Sequence, residues 1–95
     1  MKKKKLIKHN TLPVKIMFKL LYGEEGIQER RVGPDFVEVT LYSGPLAKAL
    51  YVSISTLFSQ IAYLKVLGLI LRTEQIKRGH YIIRVKPYAD LDKVE

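Results

Sequence analysis

The sequence predicts a single α+β domain in the order α-β-α-α-β-β, and three observations carry that prediction. Two β-rich runs, 69–76 and 80–86, flank Lys77, Arg78 and Gly79, so the chain ends in a hairpin with a basic tip. Ahead of them lie two helical stretches divided by a short turn, the second closed by Gly68. A further helical pattern near the start is separated from that pair by the β-rich run 36–42. With 95 residues there is material for one modest core and no second domain.

Each element has a local reason. Thr11, Leu12 and Pro13 suit a helix start, because Pro is tolerated at the first helical position. Val14, Met17, Phe18 and Leu21 then fall on one face, and Gly23 can end the helix. Residues 23–34 read as a loop with Arg30 and Arg31 exposed. After the short strand at 36–42, Ser43 or Gly44 is positioned to cap a second helix with Pro45 just inside it and Leu46, Ala49 and Leu50 buried. Ser53 caps a third helix, spanning 53–67, with Leu57, Ile61, Leu64 and Leu67 turned inward. In the last strand Tyr81, Ile83 and Val85 share one face, Ile82, Arg84 and Lys86 the other, and Pro87 ends it.

Composition narrows the function classes. At 47% hydrophobic and 27% charged, the chain is expected to be globular. No apolar run reaches the roughly 20 residues of a membrane span. The early lysines begin like a signal peptide, but Lys8, His9 and Asn10 interrupt any apolar stretch, so an intracellular, cytoplasmic and nucleoid-associated protein is expected. Without cysteine there is no disulfide framework and no thiolate metal site. His9 and His80 have no partners at metal-ligand spacing, the acids do not pair as an acid and a base, and Ser53, Ser55 and Ser59 are explained by capping and helix surface. Neither catalysis nor a cofactor is expected.

The net charge is +8. A basic arm, 1–10, carries Lys2, Lys3, Lys4, Lys5 and Lys8, and an acidic tail, 89–95, carries Asp90, Asp92 and Glu95 against Lys93. The domain between them, 11–88, holds eleven Lys and Arg against six Asp and Glu, so it is basic without its arm. A polyanionic partner is expected, nucleic acid before an anionic membrane surface.

The segment AKALYVSISTL at 47–57, followed by YLKVLGLI at 63–70, resembles the winged helix-turn-helix superfamily in its spacing of a small residue, L-x-V-S-x-S-T, and L-x-x-L-G-L-I. The match covers 43–86, and 11–22 by pattern only. In that arrangement Ala47 is small where the two helices cross closely, Val52 plugs the turn, and Ser53 satisfies free N–H groups. The resemblance implies a double-stranded DNA-binding transcriptional regulator, its recognition helix at 53–67 in the major groove and its wing at 76–81 on the backbone or minor groove. It makes Ser55, Thr56, Ser59, Gln60 and Tyr63 base-facing. It also makes Ser53, Lys77, Arg78, His80 and the lysines Lys2, Lys3, Lys4 and Lys5 backbone contacts.

The chain departs from the family's usual Arg, Lys or Asn on this helix face, offering Ile54, Phe58, Ala62 and Val66 instead. These touch thymine methyls, are covered by the N-terminal segment or a second subunit, or bind a protein; Ile54, Phe58 and Val66 are the candidate interface. Useful specificity from so small a protein implies a homodimer, joined through the first helix, the 24–36 loop or the C-terminal segment. The alternatives are a winged-helix protein-interaction module in a transcription or replication assembly, or a replication-initiator DNA-binding domain. No small-molecule ligand and no membrane partner are expected. Tyr22, Tyr42 and Tyr51 are expected to bury their rings, whereas Tyr63, Tyr81 and Tyr88 stack on bases or line a dimer contact.

Overall fold

The structure is a computed structural model in which residues 11–87 are described; the basic arm, the acidic tail and Tyr88 lie outside them. Helix α1 (Leu12–Tyr22) is followed by β1 (Ile27–Val32), β2 (Val37–Tyr42), α2 (Ser43–Ala49), α3 (Ile54–Val66), β3 (Ile70–Lys77) and β4 (His80–Val85). The strands make one antiparallel sheet in the order β1-β2-β4-β3. The fold is α+β as expected, with one strand more than the sequence predicts.

That strand is β1, in the stretch read as a loop. Its Gln28, Glu29, Arg30 and Arg31 show neither β-branched enrichment nor alternation. It is an edge strand held only by β2, with Arg30 opposite Val39, Val32 opposite Val37 and an irregularity between Ile27 and Glu29. Strand preference is weak enough that pairing to a formed neighbour overrides it. Gly26 makes the return possible. Its φ is +78°, its carbonyl accepts from Tyr42 N–H at 2.7 Å, and a Cβ there would stand 2.7 Å from that residue's oxygen.

Arg30 is half-buried rather than exposed, and it closes α1. Its Nε donates to Leu20 O at 2.9 Å and its Nη2 to Gly23 O at 2.6 Å and Lys19 O at 3.3 Å. Lys19 O also accepts the Gly23 N–H at 2.9 Å, so the guanidinium chiefly serves Leu20 O and Gly23 O, and a cation suits the negative end of the helix dipole. Gly23 ends α1 in an extended conformation, φ −79°, so the guanidinium supplies what a left-handed cap would otherwise provide. The buried face of α1 comprises Val14, Ile16, Met17, Leu20 and Leu21, while Phe18 is half-buried. The stripe is wider than predicted, because α1 packs on α3 and on β2 and β4 together.

Neither Ser43 nor Gly44 caps α2. Tyr42 occupies that position, and Ser43 is buried in the first turn with its N–H donating to Gly79 O at 3.0 Å. Leu46 and Ala47 are buried, with Ala49 half-buried. The chain turns by 92° between α2 and α3. Ser53 caps α3 as predicted, its Oγ accepting from Thr56 N–H at 3.0 Å. Leu57, Ile61 and Leu64 point into the core, and Leu67 is half-buried at the C-cap.

The core lies between the three helices and one face of the sheet. Val37, Val39 and Leu41 of β2 alternate inward, joined by Ile83 and Val85 of β4 and Ile70 of β3. All of β4 is paired to β2, from Val85 opposite Val37 to His80 opposite Tyr42. The β3–β4 turn is the dipeptide Arg78-Gly79, with Gly79 at φ +75° and Lys77 already paired to His80. Among the described residues no single helix is long and apolar enough to cross a membrane.

Candidate nucleic-acid interface

Helix α3 turns Leu57, Ile61 and Leu64 to the core, which at 100° per residue directs Ser55, Ser59, Ala62 and Val66 outward. All four are exposed. Thr56 and Tyr63 flank this stripe on one side, exposed, and Gln60 is half-buried closer to the core. Ser53 is exposed, but its hydroxyl is committed twice. It accepts the Thr56 N–H and donates to Thr56 Oγ1 at 3.0 Å. The anion-attracting feature at this end is therefore the set of free N–H groups of the first turn more than the serine itself.

Phe58, a candidate interface residue with Ile54 and Val66, is half-buried. Its ring packs on Tyr81 of β4, centroids 4.7 Å apart and tilted by 48°, and both residues lean on the core. The cover is the protein's own hairpin. Sequence could not show this, since Phe58 and Tyr81 meet only when β4 folds back across α3. Ile54 and Val66 remain open, Val66 at 85% exposure.

The Phe58–Tyr81 contact brings the middle of α3 against the tip end of the hairpin. Lys77 and Arg78 are exposed there, as the sequence implies. His80 is not. It is buried, stacked on Tyr42 with centroids 4.4 Å apart and planes within 8°, and its Nε2 lies 2.6 Å from Gln28 Oε1. Pairing of His80 to Tyr42 turns the imidazole under β1 instead of toward solvent. A backbone-contact role for His80 therefore finds no exposed ring. Among the tyrosines, Tyr22 and Tyr51 expose their rings and Tyr42 does so in part, all against expectation.

One further cation stands beside this surface. Lys65, in the last turn of α3, reaches Thr73 Oγ1 of β3 at 3.3 Å. Arg72 lies opposite Arg84 on the sheet face turned away from the helices and pairs with Glu74 at 3.6 Å. Lysine in a final helical turn complements the helix dipole, and that was the only signal available. The arm lysines Lys2, Lys3, Lys4 and Lys5 lie outside the described residues. The described residues thus present an uncharged stripe on α3 and, beyond the Phe58–Tyr81 contact, a cationic hairpin tip. No family model matches the chain, and no match to a curated protein or a solved structure was found.

Proposed function

We propose that the chain is a winged helix-turn-helix protein that binds double-stranded DNA as a transcriptional regulator, with α3 in the major groove and the hairpin tip against the backbone. The observation that supports this best is the Phe58–Tyr81 contact, which fastens the middle of α3 to the start of β4, next to the tip bearing Lys77 and Arg78. A turn of 92° between α2 and α3, with a serine cap opening α3, agrees with the helix pair of that superfamily. Because β4 is paired to β2 throughout and Gly79 O accepts the Ser43 N–H, the tip projects little past the sheet. Such a short tip suits phosphate contact better than insertion into the minor groove.

Affinity in this reading comes mostly from charge. Helix α3 offers serines and small apolar residues to base edges, which discriminate weakly, while the described residues carry +5, from eleven Lys and Arg less six Asp and Glu. A homodimer on two half-sites supplies the missing specificity. Exposure of Ile54 and Val66 favours a second reading, a winged-helix module whose α3 face docks on a protein.

The test is an anisotropy titration of random-sequence duplex DNA at two salt concentrations. The unaltered chain should bind in a salt-sensitive way. Replacing Lys77 and Arg78 together by Ala should weaken binding to every sequence and lower the salt slope by about 1–2. Undiminished binding by that variant removes the hairpin tip from the mechanism. Absence of binding by the unaltered chain at low salt overturns the DNA reading and favours the protein-docking one.

A further inference from the structure

Helix α1 and the α2–α3 turn border an open cleft of about 460 Å³, lined by Lys15, Phe18, Lys19, Tyr22, Leu50 and Tyr51. None of the residues assigned to DNA contact borders it. Its volume falls within the range of about 300–1,000 Å³ typical of small-molecule sites, and its walls are mostly apolar with a few polar groups at the rim, the usual pattern of such sites. Phe18 and Tyr22 form one wall, their ring centroids 6.1 Å apart, and Tyr51 borders the cleft from the turn.

Tyr51 is the unusual residue. α2 and α3 end in the same way. At the end of α3, Gly68 N–H bonds Lys65 O and Leu69 N–H bonds Leu64 O, and Gly68 takes φ +80°. At the end of α2, Tyr51 N–H bonds Lys48 O and Val52 N–H bonds Ala47 O, with Tyr51 at φ +59°. Both are Schellman closures, whose left-handed position favours glycine. Among the described residues Tyr51 is the one non-glycine with positive φ, and it is 94% exposed. Its left-handed backbone is set by the helix closure, and its strain is not offset by burial of its own ring.

Charge indicates what the cleft takes. Lys19 is engaged by Glu25 at 3.0 Å, whereas Lys15 is exposed and joins no ion pair among the described residues. We propose that this cleft binds a small amphipathic anion, a planar apolar body held between the Phe18–Tyr22 wall and Tyr51, with its acidic group at the Lys15 ammonium. The site is independent of the DNA reading and stands or falls separately.

Fluorescence titration with anilinonaphthalene sulfonate tests it, alongside phenylnaphthylamine, which has the same rings without the sulfonate. The sulfonate should bind saturably at one per chain. Lys15→Gln should weaken the sulfonate about threefold, the strength of one exposed ion pair, and leave the amine unchanged. Tyr51→Gly keeps the turn, because glycine suits its φ, and should weaken both probes about tenfold through loss of one aromatic wall. Val32→Ser, on the exposed β1 edge, should alter neither. Equal probe affinity in Tyr51→Gly, or loss of binding in Val32→Ser, overturns the proposal. So does light scattering that shows a dimer dissociated by Tyr51→Gly, which would assign the cleft to a second copy of the chain.

Discussion

At the residue scale, single side chains at helix ends decide how α1 is closed and set. Arg30 makes three charge-assisted hydrogen bonds to carbonyls at the end of α1, and it is half-buried, so losing it leaves Leu20 O and Gly23 O without that donor while Lys19 O keeps the Gly23 N–H. Arg30→Ala is expected to lower unfolding free energy by about 1–3 kcal/mol, measured by urea denaturation, whereas the neighbouring exposed Arg31→Ala should fall within about 0.5 kcal/mol. Nearby, the Lys19 ammonium donates to Glu25 and, with backbone hydrogen bonds to the same carboxylate, holds that carboxyl below its ordinary range. A depressed folded-state value means the carboxylate contributes stability above its unfolded value and loses it as pH falls through the folded one. An NMR titration should therefore find Glu25 below an ordinary glutamate, and Lys19→Met should move it back up. Ser53 was legible as a cap because its partner, the Thr56 N–H, is three residues away. Arg30 was not, because its acceptors belong to another element seven to eleven positions back.

Elements are held by a few backbone positions whose demands differ in kind. Gly68 and Gly26 both have positive φ, but a Cβ on Gly68 meets open space while one on Gly26 would come within 2.7 Å of Tyr42 O and 3.0 Å of Leu46 N. Gly68→Ala should destabilise by about 1 kcal/mol, the conformational penalty alone. Gly26→Ala should cost clearly more, since backbone on both sides must shift, and thermal melts of the two variants would rank them. A Gly26 variant no worse than the Gly68 one would mean that β1 is free to move away from β2. The helix pair and the hairpin were readable because caps, Gly68 and Gly79 act within a few residues of themselves. The edge strand β1 was not, since its charged residues take a strand conformation from β2 and not from their own preferences.

Over the whole molecule, the sheet carries two open edges, β1 and β3. β3 is broken by irregularities between Ile70 and Arg72 and between Gln75 and Lys77, which discourage pairing with another chain. Charge is distributed to match: Arg31 pairs with Glu29 on β1, Arg72 with Glu74 on β3 and Arg84 with Glu38 across the sheet. The sheet cations are thus largely balanced locally. Lys77 and Arg78 at the tip and Lys15 on α1 enter no ion pair among the described residues, and the two surfaces proposed to bind anionic partners are built around them.

The sequence by itself determined the α+β class, the three helices, the hairpin with its Gly79 turn, the Ser53 cap and the basic balance. Each depends on spacing or on residues adjacent along the chain. Tertiary structure alone decided that β1 exists, that Arg30 closes α1, and that His80 lies buried against Tyr42 and Gln28. It also decided that Phe58 is covered by Tyr81 while Tyr51 stands exposed in a left-handed turn. In each case the energy comes from a partner brought near by the sheet or by helix packing, and no local pattern records which partner that will be.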